Sequence, residues 1–135
     1  MHDELMLGGN SLFPKNSKED KVVCVRVRLP WYRSLPLSSV VDLQFRIDGK
    51  DIPRTSLRLQ ADGYVYTLDQ LHELMDQQWF ILDTKTVEIH LDEPLSRGEH
   101  DVRLMAQVHI PYSDSRQFIE YGVCEKKMVY QNVAA

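Results

Sequence analysis

The chain has 135 residues, 43% hydrophobic and 27% charged, enough for one globular domain that buries a core without staples. Its 16 Lys and Arg against 20 Asp and Glu leave a formal charge of -4, which argues against a nucleic-acid-coating surface. No apolar run approaches the ~20 residues that cross a bilayer, so neither nucleic acid nor membrane is an expected partner.

The first twenty residues, with Gly8-Gly9-Asn10 and the charged stretch from Lys15 to Lys21, read as a loosely ordered segment. Their acidic start, Met1-His2-Asp3-Glu4, is not that of a signal peptide, and a cytoplasmic location is expected. From Val22 the alternation becomes regular. Val23, Val25, Val27 and Leu29 share one face, and Cys24, Arg26 and Arg28 the other, the period of a half-buried strand. The next segment, Leu29-Pro30-Trp31-Tyr32-Arg33-Ser34-Leu35-Pro36-Leu37-Ser38, carries two prolines and is expected to leave the sheet as a loop.

Alternation returns at Val41, Leu43, Phe45 and Ile47, followed by Asp48-Gly49, which supplies the positive backbone angles of a tight hairpin. Asp62-Gly63 marks a second turn before Tyr64-Val65-Tyr66. Thr67 and Gln70 have capping-box spacing, and Leu68, Leu71, Leu74 and Met75 share a helix face, which predicts one short α-helix across an end of the sheets. Val87, Ile89 and Leu91 form a further strand, Pro94 to Gly98 a turn, and Val102 to Ile110 the longest alternation. The tail is expected to extend beyond residue 113, with weakly patterned strands near Ile119–Val123 or Met128–Tyr130. The fold expected is mainly β: a single antiparallel two-sheet β-sandwich domain over 1–135 with one short α-helix, segment 1–20 loose and 113–135 a C-terminal extension.

Residues that carry chemistry are scattered. His90 and His109 lie on polar strand faces and would meet a carboxylate such as Asp92 as metal ligands only in one suitable register. No close ligand spacing favours that, and surface histidines are the simpler reading. His100, next to Gly98-Glu99, is expected to hold its turn by hydrogen bonding rather than act as a base. Cys24 and Cys124 have no neighbouring histidine and no Cys-x-x-Cys partner, so reduced, inert thiols are expected, with an oxidised pair left open. Asp92 and Glu93 are adjacent, so on a strand they point apart and do not flank one bond. No metal site and no catalytic constellation is assigned to this chain. Trp31, Tyr32 and Arg33 belong to the residue types that dominate protein–protein hot spots. Two readings stand side by side: the loop plugs the end of the core, or it anchors a partner.

At this loop the chain resembles the small β subunit of bacterial C-glycoside deglycosidases. The likeness runs through Leu29 to Ser38, Val41-Asp42, Ile47-Asp48-Gly49-Lys50, Gly63, Tyr66-Thr67-Leu68-Asp69-Gln70-Leu71, Trp79 and Leu95-Ser96-Arg97-Gly98-Glu99-His100-Asp101-Val102. It starts near residue 20 and fades at Ile110-Pro111-Tyr112. Pro111 stands where the family often has Ser, and Glu93-Pro94 where it has a Gly-rich turn.

The resemblance implies a β-sandwich accessory subunit of a lyase complex. That complex cleaves the carbon–carbon bond between a 3-oxo-sugar and a flavonoid-type aglycone by elimination. It places a divalent metal, usually manganese, and the acid and base residues in a TIM-barrel α subunit related to sugar isomerases and epimerases. Higher αβ oligomers are implied, and this chain carries no cofactor of its own. Trp31, Tyr32 and Arg33 are then the residues expected near the α subunit and its substrate. The other reading is a stand-alone module that binds carbohydrate or an aromatic glycoside through Trp31, Tyr32, Tyr64 and Tyr66.

Overall fold

In the computed structural model the described residues are 6–8, 11–16, 19–28, 35–61, 63–74, 77–79, 84–111 and 117–131. They form the strands β1 (Ser11–Asn16), β2 (Glu19–Val27), β3 (Leu35–Pro36), β4 (Val40–Ile47), β5 (Lys50–Asp51), β6 (Leu57–Ala61), β7 (Tyr64–Thr67), β8 (Gln78–Trp79), β9 (Lys85–His90), β10 (Gly98–Pro111) and β11 (Gln117–Tyr130). Among the described residues, no helix is long and apolar enough to cross a membrane.

The alternating segments become neighbours as their pattern demands. β2, β9 and β6 pair antiparallel with Val23, Val25, Val87, Ile89, Leu57 and Leu59 on one buried face. β4, β10 and β11 pair antiparallel with Leu43, Phe45, Ile47, Val102, Leu104, Ala106, Val108, Cys124 and Met128 on another. The two faces share one core, so the architecture is a sandwich. Burying each such aliphatic side chain contributes about 1.5–3 kcal/mol, set against the ordering of the chain. At one end of β4, Asp48 (φ 51) and Gly49 (φ 79) form the expected tight turn, with Ile47 opposite Lys50.

The halves are one curled sheet rather than two separate ones. The strand order is β5-β4-β10-β11-β1-β2-β9-β6-β7, and β1 sits at the fold line. Ser11 and Leu12 pair parallel with Val129 and Tyr130, and then Phe13 and Pro14 pair antiparallel with Cys24 and Val23. This departs from the loose segment expected over 1–20. Met6, Leu7 and Leu12 are buried, and Leu7 bridges to Val27. The tail departs too. Gln117–Tyr130 is a single 14-residue strand paired with β10 along its whole length.

The outer strands, β4–β5 and β6–β7, leave a seam that the segment after β7 closes. The capping box is present: Gln70 Oε1 accepts from Thr67 N at 2.8 Å. The helix it starts is a six-residue 3-10 helix, Leu68–Glu73, instead of the α-helix expected. Leu68, Leu71 and Leu74 recur every three residues, so three residues per turn stacks them in one row, whereas an α-helix would spread them over a broader face of about 120°. Leu68 and Leu71 are buried and Leu74 packs against the core. Arg54 crosses the same seam, bonding Asp42 on β4 and Asp69 of the 3-10 helix (Nη2 to Oδ1, 3.1 Å). At the end of the seam β3 pairs with β8, and fully buried Trp79 lies opposite Leu35.

Leu71→Ala should lower unfolding free energy by about 2–5 kcal/mol in urea titration, because it leaves a cavity where the seam closes. His72→Ala, one position on and exposed, should stay within about 0.5 kcal/mol.

Candidate functional site

The aromatic loop is fastened at both ends. Before it, Arg28 N donates to Met6 O at 2.7 Å, which extends the pairing of β2 with the N-terminal segment. After it, Leu35 and Leu37 are buried, and Leu37 N donates to Gln77 O at 2.8 Å. The two leucines therefore plug the core. Trp31, Tyr32 and Arg33 lie outside the described residues.

The proposed pair of histidines is kept apart by the topology. His90 is on β9 and His109 on β10, with β11, β1 and β2 between them in the sheet order. His90 instead bonds Glu88 (Nε2 to Oε1, 3.1 Å), and Asp92 is exposed in the turn after β9. Among the described residues, no group of three or more His, Cys, Asp or Glu is gathered to hold a metal ion. Tyr64 and Tyr66 lie on β7, their ring centroids 6.3 Å apart. Tyr64 is 68% exposed, while Tyr66 is half-buried and accepts from Gln77 Nε2 at 3.1 Å.

His100 holds its turn, as expected. Its Nδ1 lies 2.5 Å from Asp48 Oδ2 and its Nε2 2.7 Å from Ser96 O. A carboxylate and a carbonyl both only accept, so both ring nitrogens must donate, and the imidazole is held as a cation. Burial alone would lower the His100 pKa, but the Asp48 and Ser96 bonds outweigh it and raise the pKa above the usual 6.5. The same contact holds the Asp48 carboxyl below its usual 3.8. Asp48 also receives Asp101 N at 2.9 Å, so the β4–β5 turn, the loop at Ser96 and the start of β10 are tied at one point.

A second tie lies nearby. Asp20 Oδ1 accepts from Tyr130 Oη at 2.7 Å and from Arg97 Nη2 at 2.8 Å, and the guanidinium carbon is 4.6 Å from the Tyr130 ring centre. Burial and the Asp20 bond push the Tyr130 hydroxyl pKa upward. This fastens the end of β11 to the start of β2.

The third polar group was not anticipated. Glu88 points away from the core and yet is fully buried. It accepts from Gln60 Nε2 at 2.7 Å, from Lys15 Nζ at 3.2 Å and, on the same side, meets His90. Burial alone would raise its pKa, but these bonds outweigh it and lower the pKa. Cys24, directly opposite Glu88 across the β2–β9 pair, has its thiol pushed up to about 11 by burial and by that charge. Such a thiol is not a nucleophile at neutral pH. Both cysteines are buried and reduced. A signal for Glu88 would have required the register that sets it against Cys24 and near Gln60 and Lys15.

Asp48, His100, Asp20, Tyr130 and Glu88 thus serve to fasten strands while Cys24 lies buried, and the polar pattern is that of a frame. A family model described as C-glycoside deglycosidase beta subunit matches residues 10–112. The chain belongs to the C-glycoside deglycosidase beta subunit family. A protein of that name from Arthrobacter globiformis is 39% identical over 106 residues, covering 76% of this chain and 80% of its own. One from Microbacterium trichothecenolyticum is 40% identical over 88 residues, 65% of this chain and 66% of its own. A 3'-dehydrocarminate deglycosidase beta subunit from a Microbacterium species is 36% identical over 87 residues, 64% of this chain and 65% of its own. The family match takes in β1, the aromatic loop, Glu88 and the Asp48–His100 tie.

The tie gives a signed pH dependence. The raised His100 pKa contributes stability that is full below pH 6.5 and is lost as pH rises through the folded-state value. The lowered Asp48 pKa contributes stability that is full above pH 3.8 and is lost as pH falls through its folded-state value. Thermal unfolding followed from pH 6 to 9 should show Tm falling in the native chain. His100→Gln should flatten that slope and lower Tm most at the acidic end.

Proposed function

We propose that this chain is the β subunit of a C-glycoside deglycosidase complex, supporting a larger α subunit that carries the chemistry. Membership of the beta subunit family over residues 10–112 is the observation that carries this reading. The frame supports it: His100, Asp48, Glu88 and Cys24 are occupied in holding strands or are buried.

In this reading the substrate is a C-glycoside whose sugar is already oxidised to the 3-oxo form, with a flavonoid-type aglycone. The ketone acidifies the neighbouring C–H, a base removes that proton, and the electrons expel the aglycone as a carbanion that is then protonated. In keeping with the resemblance, the acid, base and divalent metal, manganese, are assigned to a TIM-barrel α subunit. The complex is a cytoplasmic lyase that assembles as higher αβ oligomers. Trp31, Tyr32 and Arg33 meet the α subunit beside its pocket, and the anchored leucines on one side of them give the loop a fixed base.

Co-expression with a sugar-isomerase-like barrel tests this. The two chains should copurify, and Trp31→Ala with Tyr32→Ala should weaken that association at least tenfold, about 1.4 kcal/mol. Unchanged assembly and turnover in the double variant would remove the loop from the interface. Exposed Tyr64 beside Tyr66 favours a second reading, a stand-alone glycoside-binding module. Saturable binding of a C-glycoside by the isolated chain, abolished by Tyr64→Ala, would support that reading instead.

A further inference from the structure

We infer that the outward face of β1, β2, β9 and β6 docks against an acidic surface of the partner subunit. The inference rests on the reading above that such a subunit exists. By register, Phe13, Cys24, Glu88 and Arg58 stand in one row across these strands, with Arg26 opposite Thr86 and Val22 opposite His90 beside it. The charges carried outward by the described side chains within that face are Lys15, Arg26, Arg58 and the buried Glu88. Asp20, at the rim, is paired with Arg97. A chain of net charge -4 therefore presents one sheet face whose accessible charge is positive.

The cations are held in place. Glu88 fixes Lys15, Gln60 and His90 over itself. The Arg26 guanidinium lies 5.7 Å from the Phe13 ring centre. Arg58 Nη1 donates to Thr55 O at 2.6 Å and Leu57 O at 2.8 Å. Long side chains ordered before association lose less freedom when they bind, and this favours an interface over a simply solvated face. At the edge of this face, beside β6, β7 and the start of β9, lies a cleft of about 350 Å³, lined from the outward row by Gln60, Val65 and Thr86 and from the other row by Tyr64 and Lys85. Tyr64 and Val65 are among the most exposed large apolar side chains of the chain. Fixed cations across this face match an acidic protein surface, and the mostly polar cleft at its edge has room for one side chain of that surface.

A second copy is disfavoured as the occupant. A two-fold contact would set this face against itself and bring Lys15, Arg26 and Arg58 toward their own copies. Nucleic acid is disfavoured by the few cations and by the apolar Phe13, Val22 and Val65 set among them.

Affinity of the purified barrel for the full chain, measured at low and at moderate salt, tests the inference. Kd should rise with salt, and Lys15→Glu with Arg26→Glu should raise it at least tenfold at low salt. Lys127→Glu, on the exposed side of β11 in the other half, should leave it within twofold. Lys15 also neutralises Glu88, so Arg26→Glu alone decides if the double variant fails to fold, with a rise of at least threefold expected. A Kd unchanged by Arg26→Glu, or raised equally by Lys127→Glu, would overturn the inference while leaving the complex itself standing. Wild-type chain that does not bind the barrel at all overturns both. Capture of heparin through this face, with barrel affinity unaffected by Arg26→Glu, would assign the face to a polyanion and overturn the docking inference.

Discussion

One strand joins the two halves of the sandwich through hydrogen bonds to both. β1 gives Ser11 and Leu12 to β11 and Phe13 to Asn16 to β2, so the layers are continuous across it. Two consequences follow. The curl places the sheet's outer strands across a seam from each other, which the 3-10 turn of Leu68 and Leu71 and the Arg54 bridge must close. The fold line also needs bracing where the halves diverge, and the Asp20–Arg97–Tyr130 tie connects the end of β11 to the start of β2 close to it. Without β1 the two faces would be held together by core packing and these side-chain ties, with no strand pairing between them among the described residues.

Such a frame uses its polar residues in a characteristic way. Asp48 and His100 form a charged pair whose second acceptor, Ser96 O, leaves the imidazole no basic nitrogen. Glu88 is saturated with donors, and Cys24 beneath it is held as a thiol. Groups tuned for catalysis are poised near the working pH and open to substrate. These are shifted toward the charge state that suits their bonds, or are buried. In an accessory subunit, rigidity is itself useful, because fixed loops and fixed surface cations can be presented to a larger neighbour with little ordering cost.

Much of this was legible in the sequence, and the remainder was hidden for identifiable reasons. β2, β9 and β10 alternate cleanly because each keeps one face on the core, and β4 does so from Leu43 onward. The expected core residue Val41 is exposed and Val40 buried instead, because the pairing with β10 shifts register there. Asp48-Gly49 admits few other structures. β1 does not alternate: Ser11, Leu12 and Pro14 are buried together because the strand changes partners midway. β11 places Gly122 and Cys124 inward and Tyr121, Val123 and Val129 outward, which blurs its pattern. The leucines at 68, 71 and 74 fit both the row of a 3-10 helix and the face of a short α-helix, so their spacing did not choose between them. His100 was readable as a turn-holding residue from its neighbours, but Glu88 depended on a strand register that local pattern does not contain. The family was legible in the ordered series of turn and loop residues, several of which now have roles: Asp48, Ser96, Arg97 and His100 make the ties.

The central claim is that this chain is a frame whose chemistry resides in a complex. Turnover of a 3-oxo-C-glycoside by this chain alone, by the metal-loaded barrel alone and by their mixture tests it most directly. Aglycone release should appear only in the mixture and should saturate at a fixed ratio of the two chains. Release by this chain alone, at any metal concentration, would contradict the account.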